Sequence, residues 1–103
     1  MATTTSKRLC SGIASDSLAT IYTATAAKTT IIKAITLCNT SIQTVNITIT
    51  FDGIYVLKLH PITSYDTLTI PFIDQVLEAG DLIQIQASIT SVVNYYISGK
   101  EVD

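Results

Sequence analysis

The stretch Gln43-Thr44-Val45-Asn46-Ile47-Thr48-Ile49-Thr50-Phe51-Asp52-Gly53-Ile54-Tyr55-Val56-Leu57-Lys58-Leu59-His60 decides how this chain folds. From Val45 to Phe51, apolar side chains (Val45, Ile47, Ile49, Phe51) alternate with polar ones (Asn46, Thr48, Thr50). That period of two places one face of a strand on a core and the other in water. Asp52-Gly53 follows, two residue types that tolerate the positive φ of a tight primed turn, and Ile54 to His60 resumes an extended apolar pattern. A β-hairpin is therefore predicted at the middle of the chain, with Pro61 ending its second strand by removing a ladder donor.

Working outward, the same signals recur on both sides. Thr30 to Asn39 reads as a central strand, with Ile31, Ile35 and Leu37 on one side and Ile32, Ala34, Thr36 and Cys38 on the other. Asn39-Thr40-Ser41 has the turn chemistry of a hairpin connection. Leu18 to Tyr22 is a short strand, joined to the central one through Thr23 to Thr29. Downstream, Tyr65 to Phe72 alternates through Leu68, Ile70 and Phe72, and Pro71 marks its end as an edge or exit. Val76 to Asp81 reads as a loop turning at Gly80. Leu82 to Ser88 points Ile83, Ile85 and Ala87 inward and Gln84 and Gln86 outward. Ser91 to Gly99 carries Val93, Tyr95 and Ile97 on one face and Val92, Asn94 and Tyr96 on the other.

Seven to eight short strands, turn signals about every 8 to 12 residues and no helical period imply an all-β fold, an antiparallel β-sandwich of jelly-roll or immunoglobulin-like type. Its expected core is Ile35, Leu37, Val45, Ile47, Ile49, Leu68, Ile70, Ile83, Ile85, Val93, Tyr95 and Ile97. Composition agrees: 16 Ile, 17 Thr and 6 Val make 39 of 103 residues β-branched. Residues 1–17 lack periodicity and read as a flexible N-terminal arm, leaving 18–103 as a single sandwich domain.

Only 14% of residues are charged and the formal net charge is −2, so no electrostatic footprint for nucleic acid or anionic lipid exists. No run approaches the ~18 consecutive apolar residues of a membrane helix. Met1 to Ser17 lacks the apolar core of an export signal, so synthesis in a reducing cytoplasm is expected, with Cys10 and Cys38 as free thiols. Neither cysteine has metal-ligand spacing.

The inventory for catalysis is thin. His60 is the one histidine, and it reads as a solvent-facing strand-end residue. Asp74, Glu78 and Asp81 surround Gly80 without the regular spacing of a calcium loop. The four glycines are isolated, which gives no phosphate loop. No enzyme activity, cofactor or metal is expected. What stands out is surface composition: faces expected to meet water carry Thr, Ser, Asn and Gln in place of Lys and Glu, as the centres of protein interfaces do. Val92, Asn94 and Tyr96 on the half-polar face of the last strand are the interface candidates, with the tyrosine ring as anchor. A competing possibility is a carbohydrate-binding or adhesion module in which Tyr55, Tyr65, Tyr95 or Tyr96 stacks on sugar.

Leu18-Ala19-Thr20-Ile21-Tyr22-Thr23-Ala24 and Lys28 to Thr40 together resemble the opening of small virion proteins of tailed bacteriophages. Val45 to Phe51, Val76-Leu77-Glu78-Ala79-Gly80-Asp81 and Val93 to Val102 are similar to later parts of that pattern, so the resemblance spans Leu18 to Val102. It implies a β-sandwich without a catalytic residue set. It also implies a structural protein of the decoration, head-fibre or tail-accessory kind. Such a protein is made in the host cytoplasm, self-associates as a trimer or ring and docks on other virion proteins. Ala26-Ala27 stands where the pattern more often has Pro-Ala-Gly, so this connection is expected to differ in shape.

Overall fold

The computed structural model describes residues 4–71 and 75–102. These form nine strands: β1 (Thr4–Ile13), β2 (Ala19–Thr23), β3 (Thr29–Asn39), β4 (Val45–Phe51), β5 (Ile54–Ile62), β6 (Thr67–Ile70), β7 (Gln75–Leu77), β8 (Leu82–Ala87) and β9 (Val93–Val102). The first sheet runs β1-β9-β3, with β6 and β7 laid end to end along the far side of β3, and the second runs β2-β8-β4-β5. Every pairing is antiparallel.

The pairs β1·β9, β2·β8, β3·β6/β7 and β4·β5 are successive rungs of one long hairpin whose tip is Asp52-Gly53. Rolling that hairpin sends alternate rungs to opposite sheets and brings β3 against β9 and β4 against β8. This winding is the jelly roll, so of the two sandwich types it excludes the immunoglobulin order. At the tip, Asp52 has φ 50° and Gly53 φ 82°, as a primed turn requires.

The core lies between the sheets. Ile32, Ile35, Leu37, Val93 and Ile97 of the first meet Val45, Ile47, Ile49, Ile83 and Ile85 of the second, all fully buried. Leu68, Ile70 and Tyr95, expected inside, are only partly buried and pack against this cluster. Leu68 and Ile70 belong to β6, which borders the first sheet.

Several elements depart from the sequence reading, each for a local reason. Thr4–Ile13 is a paired edge strand and not a flexible arm, and it inserts Leu9 into the core. A bulge between Arg8 and Cys10 breaks its alternation, which hides it in the sequence. Val76 and Leu77, expected in a loop, pair with β3 as part of β7. In β3 itself, a bulge between Ile32 and Ala34 reverses the phase. Ile32 is therefore buried together with Ile35, whereas Ile31 is not. At this bulge the Ile31 carbonyl oxygen occupies a point only 2.2 Å from where a Cβ on Gly99 would sit, so the crossing requires glycine.

β5 runs through Pro61 to Ile62, because an edge strand can turn a missing N–H to solvent. Asn39-Thr40-Ser41 does not close a hairpin but carries the chain from one sheet to the other. The fully buried Asn39 side chain donates to the carbonyls of Gln43 (2.7 Å) and Ile62 (3.0 Å) and accepts from the Ser41 amide (2.9 Å). In the β2–β3 connection, Ala27 itself adopts φ 63°, the left-handed conformation a glycine would supply.

Candidate functional site

Three surfaces and one polar cluster gather the chemistry of the molecule. The first surface is the flank where β5 of one sheet and β7 of the other are both edges. Here Ile54 (71% exposed), Val76 (58%) and Val56 line a cleft of about 430 Å³ with Phe51 and Leu77 at its base. Asp52 and Asp81 also line it.

The second surface is the outer face of the β2-β8-β4-β5 sheet. Register places Thr48 opposite Gln86 and Thr50 opposite Gln84. Asn46 lies opposite Ser88, joined by Asn46 N–H to Ser88 Oγ (2.9 Å) and Ser88 N–H to the Asn46 carbonyl (2.9 Å). Polar contacts continue across the sheet from Thr50 to Gln84 to Thr20. On the β5 side, Leu59 sits in a bulge at φ 52°, its N–H donating to Thr48 Oγ1 at 3.1 Å. Tyr55 stands opposite Thr50, with the Lys58 ammonium 4.7 Å from its ring centroid.

The third surface is the outer face of the β1-β9-β3 sheet. Asn94 and Tyr96 are both exposed there, and the Arg8 guanidinium lies 6.0 Å from the Tyr96 ring centroid. Val92 precedes β9, is half-buried and packs against the core, so it does not join the other two interface candidates. The tyrosines do not converge either. Tyr55 and Tyr96 lie on different sheets, Tyr65 is in the β5–β6 connection, and Tyr95 is inward and partly buried.

The polar cluster closes one end of the sandwich. Glu101, 6% exposed, accepts hydrogen bonds from Lys7 Nζ (2.9 Å) and the Thr25 hydroxyl, with Tyr22 Oη at 3.4 Å. These contacts tie β9 to β1, to β2 and to the β2–β3 connection. The Thr25 hydroxyl first, and Lys7 second, hold the Glu101 carboxyl down at about 2, and the same carboxylate raises Lys7. Sequence reading missed this cluster because its members are 94 and 76 residues apart.

Of the remaining candidates, His60 is exposed on β5. Asp74 lies outside the described residues. The Asp81 carboxylate accepts from the Glu78 amide at 2.9 Å, capping its own turn. Among the described residues no three His, Cys, Asp or Glu side chains are grouped to hold a metal ion. Cys10 and Cys38 are free thiols separated by β9, and burial pushes the Cys10 thiol up to about 11. No helix among the described residues is long and apolar enough to cross a membrane. Compared with known proteins, the chain matches no family model and no curated protein.

Proposed function

We propose that this protein is a non-enzymatic structural component of a tailed-phage virion, one that self-associates and docks on the capsid, neck or tail. The observation that carries the reading is the open flank between β5 and β7. Ile54, Val56 and Val76, all exposed, rim a cleft whose base is core, the apolar centre that a contact surface needs. The jelly-roll winding is one used by viral capsid domains, as well as by lectins. The motif resemblance over Leu18 to Val102 points the same way.

A second copy suits the flank by charge. The flank carries Asp52 and Asp81, whereas Arg8 on β1 and Lys100 on β9 lie across β3 from β7. Two unlike complementary surfaces make a heterologous contact, and heterologous contacts close into trimers or rings when the rotation permits. Tyr96, stacked with Arg8, is the aromatic anchor on that side.

The test is the mass of the purified protein at micromolar concentration by light scattering. An oligomer is expected, and Ile54→Asp or Tyr96→Asp disperses it while circular dichroism stays unchanged, because each places a carboxylate in the contact. A monomeric parent protein removes the self-association on which the reading depends.

A further inference from the structure

From the outer face of the β2-β8-β4-β5 sheet we infer a binding site for a neutral oligosaccharide. A cleft of about 240 Å³ opens there, lined by Asp16, Asn46, Thr48, Leu59, Gln86 and Ser88. Asn46 with Ser88, joined just beyond the end of the β4·β8 ladder, and the rung Thr48 with Gln86 form its floor, Thr48 being nearly buried at 6% exposure. Strand spacing of about 4.8 Å and a two-residue repeat of about 6.8 Å make this a patch the size of a single sugar ring. The rung Thr50 with Gln84 continues the ladder toward Tyr55, but Thr50 is only 3% exposed, so the cleft has its place for one ring.

The unspent hydrogen-bonding groups decide the class of ligand. Neither the Asp16 carboxylate nor the Asn46 carboxamide has a partner among the described residues, and Gln86 uses only its Nε2, on the Asp16 carbonyl at 3.0 Å. Carboxylate, carboxamide and hydroxyl groups together accept from and donate to vicinal hydroxyls. No cation lines the cleft, so phosphate, sulfated glycans and nucleic acid find no counter-charge. The backbone groups of β4 and β8 are already committed to ladders on both sides, so an extended peptide cannot add as a strand here.

Leu59 is the second, independent observation. Its φ of 52° disfavours any L-residue with a side chain, and glycine would serve the bulge better, yet a leucine is held there 60% exposed at the rim of the cleft. Strain retained beside a polar cleft points to a use for that side chain. An exposed isobutyl group offers the C–H face of a pyranose its apolar contact.

Titration of isotope-labelled protein with maltotriose, cellotriose, mannotriose and N,N′,N″-triacetylchitotriose, followed by amide NMR, tests the site without reference to oligomeric state. At least one sugar is expected to bind with a Kd of about 1 mM or tighter, shifting amides near residues 16, 46–50, 59 and 84–88. Asn46→Ala should weaken it about tenfold, the loss of one good hydrogen bond. Leu59→Gly is the discriminating variant: relief of the strained φ should raise the melting temperature while binding falls. Silence toward all four sugars, shifts confined to another face, or undiminished binding by Leu59→Gly overturns the proposal.

Discussion

Replacing Gly99 by alanine tests the least forgiving contact in the sandwich. The added Cβ would sit 2.2 Å from the Ile31 carbonyl oxygen and 2.9 Å from Leu9 Cδ1, whereas ordinary contact begins near 3.4 Å. Leucine can swing away, but a backbone carbonyl in the central β3·β9 ladder cannot. The strands must part by about 1.2 Å at this point, the difference between 3.4 and 2.2 Å. Such a displacement breaks about two ladder hydrogen bonds at roughly 1 kcal/mol each and adds roughly 1–3 kcal/mol of overpacking. The expected loss is therefore about 3–5 kcal/mol out of a total of about 5–15 kcal/mol. At roughly 4–8 °C per kcal/mol, melting by circular dichroism should fall by at least about 12 °C. Gly12→Ala is the internal control, because its Cβ meets only the tip of the Tyr95 side chain, at 2.8 Å, and a side-chain tip can move. Gly99→Ala melting within about 3 °C of the parent would refute the crowded bulge.

Three further outcomes follow from the same structure. Ala27→Gly should stabilise the fold by about 0.5–1 kcal/mol, since Ala27 holds φ 63°, and a loss of similar size in urea unfolding contradicts the turn geometry. Ile47→Ala, at a fully buried position in β4, should cost about 2–5 kcal/mol, and a change under about 0.5 kcal/mol shows its face is not core. Glu101 has a folded pKa of about 2 against an ordinary 4.5, so its contribution is present above pH 4.5 and lost as pH falls toward 2. In that window the parent should lose melting temperature faster than Glu101→Gln, and parallel curves would falsify the clamp.

The hairpin at Asp52-Gly53 was legible because both of its signals are local: strict alternation in Val45 to Phe51, and a dipeptide that accepts positive φ. The inward faces of β8 and β9 were legible for the same reason. β1 was not, because an edge strand with one solvated side and a bulge at Leu9 has no clean period to read. In β3, apolar residues on both sides concealed the bulge after Ile32, and only the pairing with β9 reveals which isoleucine faces in. The polar track was half legible. Gln84 and Gln86 point outward by alternation, but their partners Thr50 and Thr48 on β4 are set by a register that joins residues more than thirty positions apart. Leu59 had no signal at all, since nothing in Leu57-Lys58-Leu59-His60 marks one residue as left-handed.

The pairing of the first strand with the last governs when the fold can form. Thr4 lies opposite Val102 and Ile13 opposite Asn94, so β1 has no partner until β9, more than eighty residues further on, has left the ribosome. At about 5–20 residues per second, that leaves β1 waiting roughly 5–20 s. The central hairpin of β4 and β5 can close at once, in microseconds, and the outer rungs of the roll must then be added in order. Folding is therefore set to proceed from the tip of the roll outward, to be slow for a domain of this size, and to finish only once β9 has emerged. During that interval the apolar strands lie open to other nascent copies. Shielding residues 4–13 until β9 emerges protects the chain during an interval that stabilising the finished core does not reach.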